Sequence, residues 1–407
     1  MGEVQLARVA RYAAGSGSPP LINGGKMKRI KLLAVLAVLT LVFAACTTGG
    51  EEEPDVTEAP DVTEAPDVTE APDTTEASDT TAADTGGEGD TGGAVLDAVL
   101  DRGTVRCGVN DVFPGFGIID DAGEYAGFDI DFCRAVAAGV LGDPEAVDFV
   151  PLTADARFTA LQGGEIDVLI RNTTWTATRD GQEGATFLTT TFYDGQGMMV
   201  PASTGFTELE DLADATICVL SGTTTELNLT AVFNARGIPF NPAVFAGNEQ
   251  LQPAYESGQC EAWTSDFGQI SAFAAAIVEG GGEEQFIMDE IFSKEPLGPV
   301  VPDGDSAWAQ AVEWSVMAPI QAWEFGLTSA DIGSYDGDDP NILNFIGADG
   351  FDPGLGLSPD MNVTIVEAVG NYQEIFERHL EPIGIALEGT QNDLWTNGGL
   401  MYVPPYR

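Results

Sequence analysis

Residues 164–181 read GEIDVLIRNTTWTATRDG. A short apolar run, Ile166 to Ile170, stops at a polar cluster holding Arg171, Asn172, Thr173, Thr174, Trp175 and Arg179. Such a run reads as a buried strand, so the polar cluster belongs at the strand's carboxyl end. Similar units flank it. TVRCGVN (104–110) precedes a helical pattern from Phe128, and AVDFVPL (146–152) precedes one around Arg157 to Gln162. After GQGMMVPAS (195–203) a second series begins: ATICVL with TTTELNLTAVFNAR, FNPAVF with NEQLQPAYESG, then CEAWTSD ending at Asp266. Strands alternating with helices predict βαβ units and parallel sheets. Two open α/β sheets in series place a crevice between them, at the carboxyl ends of their strands.

Charge narrows the partners. The chain has 16 Lys+Arg against 65 Asp+Glu in 407 residues, a formal charge of −49. From Ala94 onward there are nine arginines and Lys294 against 49 acidic residues. A surface this acidic repels nucleic acid and anionic headgroups, which excludes both as partners through positive patches. With so few cations, the two arginines of the opening stretch call for a reason.

The first 93 residues read as address and tether. Residues 1–26 have no apolar run of their own and read as an upstream extension that is not native. Met27 opens a secretory signal spanning 27–45: basic Lys28, Arg29 and Lys31, an apolar stretch from Leu32 to Val42, then Ala44 and Ala45 before Cys46. The end of this signal resembles a bacterial lipobox, in which the cysteine is lipidated, although Phe43 departs from the usual aliphatic residue. An uncleaved anchor is the weaker reading, because the run is shorter than the ~20 residues that span a bilayer. Residues 46–93 repeat EAPDVT nearly unchanged, without a basic or aromatic residue, and predict a disordered acidic linker.

Five cysteines fit an exterior compartment. With Cys46 assigned to lipid, Cys107, Cys133, Cys218 and Cys260 remain, an even number that suggests two disulfides. Three pairings are possible. Cys107 ends a strand and Cys133 lies in the helix after it, which favours Cys107–Cys133 and leaves Cys218–Cys260, both in strand-like runs. No metal site is expected: none of the four has CxxC spacing, and His379 is the only histidine.

The crevice can be furnished from three strand ends. Arg171, Asn172, Thr173, Thr174, Trp175 and Arg179 line one side, while SGTTTELN (221–228) and TSDFG (264–268) stand opposite. An amino-acid zwitterion needs what these supply: a guanidinium fork for the carboxylate, helix-start amides beside it, and an aspartate for the ammonium. Phe113, Phe158 and Trp175 offer an apolar face. Each piece has an ordinary alternative. Thr223 with Glu226 is also a capping box, Arg171 could pair with a surface carboxylate, Phe158 and Trp175 could be core, and Asp266 could be a solvated loop charge.

At RGTVRCGVN, GFDIDFCRAVAAGVLGD, FVPLTADARFTALQGGEIDVLIRNTTWTATRD, YDGQGMMVP, SGTTTELNL, SKEPLGPVV, VGNYQEIFER and LWTNGGLMYVPPYR the chain resembles the general L-amino-acid-binding proteins of bacterial polar-amino-acid ABC transporters. The resemblance covers nearly all of 94–407. It implies an α/β, two-domain periplasmic-binding-protein fold of type II, with 94–199 and 297–407 as domain 1 and 200–296 as domain 2. Two hinge crossings are implied near Gly195–Val200 and Ser293–Gly298, and the region from about 319 to 390 is implied to decorate domain 1.

Residue by residue, the resemblance puts the substrate carboxylate on Arg179, backbone and hydroxyl contacts on Asn172, Thr174, Thr223 and Thr224, the α-ammonium on Asp266, and an aromatic contact on Phe113. Arg171 stands where relatives outside the subgroup carry a small residue. The implied protein is an extracytoplasmic, lipid-anchored monomer without a cofactor. It takes an L-amino acid of broad polar preference, hands it to an ABC permease, and meets the membrane only through its N-terminal lipid. The competing class is an extracytoplasmic dehydratase on the same fold, against which stands the lack of a histidine in any of these motifs.

Overall fold

The computed structural model describes residues 93–407. The signal segment, Cys46 and the acidic repeat all lie outside the described residues. The first sheet joins β1 (Val105–Val109), β5 (Val147–Pro151), β6 (Val168–Leu169), β7 (Ala185–Phe187) and β15 (Val300–Pro302) in the order β5-β1-β6-β15-β7. A small meander, β2 (Val112–Phe113), β3 (Gly117–Ile119) and β4 (Tyr125–Ala126), follows β1. The second sheet joins β9 (Gln196–Pro201), β10 (Thr216–Leu220), β11 (Asn241–Phe245), β12 (Ala262–Asp266) and β13 (Gln285–Ile287) in the order β11-β10-β12-β9-β13. Between the sheets runs a two-stranded antiparallel ribbon, β8 (Phe192–Asp194) with β14 (Glu295–Leu297), in which Asp194 stands opposite Glu295.

Both sheets follow one plan. In each, one strand, β1 or β10, pairs in parallel with the two that follow it by helical crossovers, and the remaining strands, β15 and β7 in the first sheet and β9 and β13 in the second, join through antiparallel pairs. The strand order therefore reverses at β1 and at β10, which puts a crevice at the carboxyl ends of each group. The opening stretch behaves accordingly, except that only Val168 and Leu169 of the run 166–170 pair as strand.

Helices cover these sheets because their apolar stripes need partners. After α1 (Ala94–Arg102), α2 (Phe128–Leu141) is buried along nearly its whole length. It packs on β1 and beneath α8 (Ser306–Phe325), with α10 (Met361–Val369) and α11 (Tyr372–His379) completing the layer, while α9 (Pro340–Phe345) lies further out. The large core of the first sheet runs through these elements to Tyr406. Short α3 (Arg157–Gln162) and α4 (Ala177–Gln182) precede and follow β6. The second sheet carries α5 (Thr224–Arg236), α6 (Asn248–Glu256) and α7 (Phe267–Glu279), with a core on each face.

The sulfurs of Cys107 and Cys133 lie at disulfide distance, with Cα atoms 6.1 Å apart, and so do those of Cys218 and Cys260, with Cα atoms 5.7 Å apart. All four cysteines are buried. Cys260 differs from expectation in one respect: it sits in the turn after α6, before β12 begins at Ala262, because the chain reverses at Gly258 with φ +77° before it joins the sheet. Among the described residues, no helix is long and apolar enough to cross a membrane.

Candidate functional site

The first sheet's contribution begins where β6 ends. Asn172 has φ +34°, a left-handed turn that asparagine tolerates better than most residues. Its backbone N–H donates to Asp129 Oδ2 at 2.8 Å, so the start of α2 fixes the turn. The turn aims the Asn172 side chain outward, where Nδ2 donates to Asp266 Oδ2 at 3.2 Å. Arg171, buried, donates from Nε to the Leu152 carbonyl at 2.7 Å, tying the end of β6 to the end of β5. Thr176 caps α4 by accepting the Arg179 N–H at 3.2 Å, which turns the Arg179 side chain back toward the strand ends. Its guanidinium donates to Thr174 O at 3.0 Å and to Gly222 O at 3.4 Å.

Across from these, SGTTTELN forms the turn into α5. Gly222 has φ +69°, and a Cβ there would stand 2.8 Å from the Cα of Asp155 on the first sheet's side. Only glycine serves both the conformation and the approach. Thr223 is the α5 N-cap: its Oγ1 accepts from Glu226 N at 3.1 Å and donates to Leu220 O at 2.7 Å. Thr224 Oγ1 donates to Glu295 Oε2 at 2.8 Å and lies 3.4 Å from Thr174 Oγ1. The first amides of α5 have no partner within the helix and carry its positive end.

Asp266 precedes α7 but makes no side-chain cap for it. Asp194 of the ribbon performs that task, accepting Gly268 N–H at 3.0 Å on Oδ2. The Asp266 carboxyl is thereby released from its own helix and faces Asn172. Burial and then the nearby Glu295 push this carboxyl up from 3.8 to about 7, against Asn172, Arg157 and Arg179, which pull it down. Burial likewise lifts Asp129 to about 7, opposed by its hydrogen bond from Asn172 and by Arg171.

Together these groups bound a cavity lined by Arg157, Arg171, Asn172, Thr174, Thr223, Thr224 and Asp266, with Ala154, Leu220, Thr225, Ser265 and Gln269. Three guanidiniums converge here. Arg157 and Arg179 both lie over the Phe158 ring, at 5.4 and 5.5 Å from its centre. Burial lowers the proton affinity of all three arginines, Arg171 to about 10. Such a site favours a ligand with negative oxygens at one place and a positive nitrogen at another.

Most of the expected residues meet, but not in equal roles. Arg171, Asn172, Thr174, Thr223, Thr224 and Asp266 line the cavity, while Arg179 is not part of that lining but holds the carbonyls of Thr174 and Gly222 and lies over Phe158. Phe113 is fully buried and stacks on Phe116 at 4.4 Å, within the core. Trp175 is 42% exposed and stacks on Phe187 at 5.9 Å, away from the cavity lining. Besides Asp129 and Asp194, which position the turn and the α7 amides, two charged residues were missed. Arg157 opens the short helix RFTALQ directly before the apolar Phe158, Ala160 and Leu161, and a basic residue beside an apolar core was the signal. Glu295, buried, accepts from Thr224, from Asn228 at 3.0 Å and from Ser293 at 2.5 Å. A carboxylate next to Lys294 at the head of the apolar run PLGPVV was its signal.

Two open α/β sheets joined by a ribbon, with buried cations of one facing a buried carboxyl of the other, define a solute-binding protein of the two-sheet, periplasmic type. The chain belongs to the bacterial extracellular solute-binding proteins, family 3, whose profile matches residues 105–322. It is 44% identical over 321 residues to the general L-amino acid-binding periplasmic protein AapJ of Rhizobium johnstonii, covering 77% of this chain and 92% of that one. It is 42% identical over 319 residues to the glutamate/glutamine/aspartate/asparagine-binding protein BztA of Rhodobacter capsulatus, covering 77% and 94%. A solved periplasmic binding protein from Brucella ovis, with glutathione bound, superposes with a TM-score of 0.73 at 43% identity, over 77% of this chain and 99% of that one. As a member of this family the chain is an extracytoplasmic binding protein that serves transport, and not an enzyme.

Proposed function

We propose that this protein captures L-amino acids with polar side chains between its two sheets and hands them to an ABC permease. In this reading the two sheets are lobes hinged at the β8–β14 ribbon, with the first crossing just before Gln196, where β9 starts, rather than after 199: 94–194 with 297–407 form one lobe and 196–294 the other. The Arg179 guanidinium, with the Thr174 hydroxyl and the first amides of α5, takes the α-carboxylate. Asp266 and Asn172 take the α-ammonium. Each lobe holds half of the zwitterion's partners, so the ligand favours the closed state over the open one.

The observation that carries this reading is the release of Asp266 from capping its own helix, which leaves a buried carboxyl opposite buried guanidiniums. Breadth of choice is supported by the relatives, one named for general L-amino acids, one for acidic and amide ones, and one holding glutathione. A lipid on Cys46 and the acidic linker would keep the protein at the membrane face, acting as a monomer. Isothermal titration of the purified protein against the twenty L-amino acids and glutathione tests the proposal. Binding of several polar amino acids is expected, and the absence of binding to all of them would overturn it.

A further inference from the structure

Arg157 stands apart from the other buried arginines. It is 2% exposed, yet its Nε has no hydrogen-bond partner and its Nη2 reaches only the Gly222 carbonyl, at 3.4 Å. Among the described residues, no carboxylate lies within ion-pair distance of it. Elsewhere arginines are provided for: Arg102 and Arg106 share Asp167, Arg134 pairs with Asp131, and Arg171 and Arg179 hold backbone carbonyls at 2.7 and 3.0 Å. A guanidinium has five donors, and leaving them unpaired away from water is among the most costly arrangements in a protein. Nothing in the fold requires it here. Arg157 ties no two elements together except through that one long contact.

Position shows what it awaits. Arg157 lines the same cavity as Asp266, and the Phe158 ring supports its guanidinium, as it does that of Arg179. Arg171 and Arg179 repel it, and Asp266 and Glu295 attract it without touching it. Resting on the reading of the cavity as an amino-acid site, the zwitterion's own ends are assigned to Arg179 and Asp266. What remains for Arg157 is the side chain. We propose that Arg157 is a specificity-determining residue that receives a second carboxyl-type oxygen at the far end of the ligand. Amino acids with a side-chain carboxylate bind best, those with a carboxamide oxygen next, and those with a plain apolar side chain worst. The ranking follows because an apolar side chain leaves the buried guanidinium unpaired, a penalty that discriminates more sharply than lost apolar contact.

Titrating the full protein and its Arg157→Met and Arg157→Lys variants with L-glutamate, L-glutamine and L-alanine tests this. The wild type should bind in that order. Arg157→Met should lose glutamate by about 30-fold or more while alanine stays within about threefold of wild type. Arg157→Lys, which keeps the charge without the fork, should fall between for glutamate. If alanine weakens as much as glutamate, Arg157 holds a group common to all amino acids and the proposal is wrong. If glutamate binds both variants as it binds the wild type, the side chain is structural and the proposal is equally wrong. A wild type that binds none of the three overturns the amino-acid reading itself, which separates that failure from this one. Should Arg157→Met melt well below wild type, the Lys variant decides, since it preserves the buried charge.

Discussion

Replacing Asp266 by Asn has two effects of opposite sign, and both can be worked from the structure. Burial and Glu295 raise the carboxyl from 3.8 to about 7 in the folded protein. Because the folded value lies above the unfolded one, the stability this group contributes is complete below pH 4 and is lost as pH climbs through about 7. By pH 8 the ionised, buried carboxylate costs the ligand-free fold up to about 4 kcal/mol. Asp266→Asn removes that charge, so the ligand-free variant should melt several degrees above wild type at pH 8 and match it near pH 4. Binding moves the other way. The ligand's ammonium pairs only with the ionised form, so wild-type affinity should rise by up to tenfold per pH unit between about pH 5 and 7 and then level off. In the Asn variant the profile should flatten, and affinity at pH 8 should drop by about 30-fold or more. Asp129 titrates in the same window and steadies Asn172, and burial and Asp266 together hold Asp194 well above the usual carboxylate range, so the difference between wild type and variant reports Asp266 together with the response of Asp194. Calorimetry from pH 5 to 8 with glutamate, glutamine, histidine and leucine, alongside thermal melts, measures both effects. A loss confined to histidine would show that Asp266 reads side chains, and an unchanged pH profile in the variant would refute the assignment outright.

Other outcomes follow from neighbouring features. Arg179→Ala should lose at least ~2–4 kcal/mol of binding for every accepted amino acid, and an affinity within about threefold of wild type would place the carboxylate elsewhere. Peptide mapping without reductant should recover Cys107 linked to Cys133 and Cys218 to Cys260; a cross-pair such as Cys133 with Cys218 would contradict the division into two sheets. Cys46→Ser should release the protein from cell membranes into the medium or periplasm, and retention of the variant on membranes would remove the lipid from the account.

The architecture was legible because each strand–helix unit is marked by its own apolar run and turn, and because parallel sheets put functional groups at one kind of place, the strand ends. That is why Arg171, Asn172, Thr174 and Asp266 could be named from spacing alone. Aromatic residues were harder. Phe113 and Trp175 lie close in sequence to the strand ends, but which way a ring turns is settled by its neighbours, here Phe116 and Phe187. Thr223 and Thr224 read as hydroxyls offered to a ligand, whereas the N-cap geometry and Glu295 engage them within the protein. Glu295 itself comes from the ribbon, about 70 residues beyond Thr224, and no local pattern announces that pairing. Arg157 was hidden for another reason: its distinction is what it lacks, and an unpaired donor is visible only once every neighbour is in place.

The order β5-β1-β6-β15-β7 also bears on how the chain comes to be assembled. β7 pairs with β15 alone, and β15 is also the strand that links it to β6. Residues 185–187 thus leave a ribosome or export channel more than a hundred residues before 300–302, their one strand partner among the described residues. The second sheet has all five strands within 196–287, and its core is completed within a few residues more, by Met288 and Phe292. During secretion it can close first and draw the later residues back toward the earlier ones, so that the costly long-range pairing of β15 is made across a short gap rather than an open loop. Mutations that unsettle the second sheet would then slow the completion of the first.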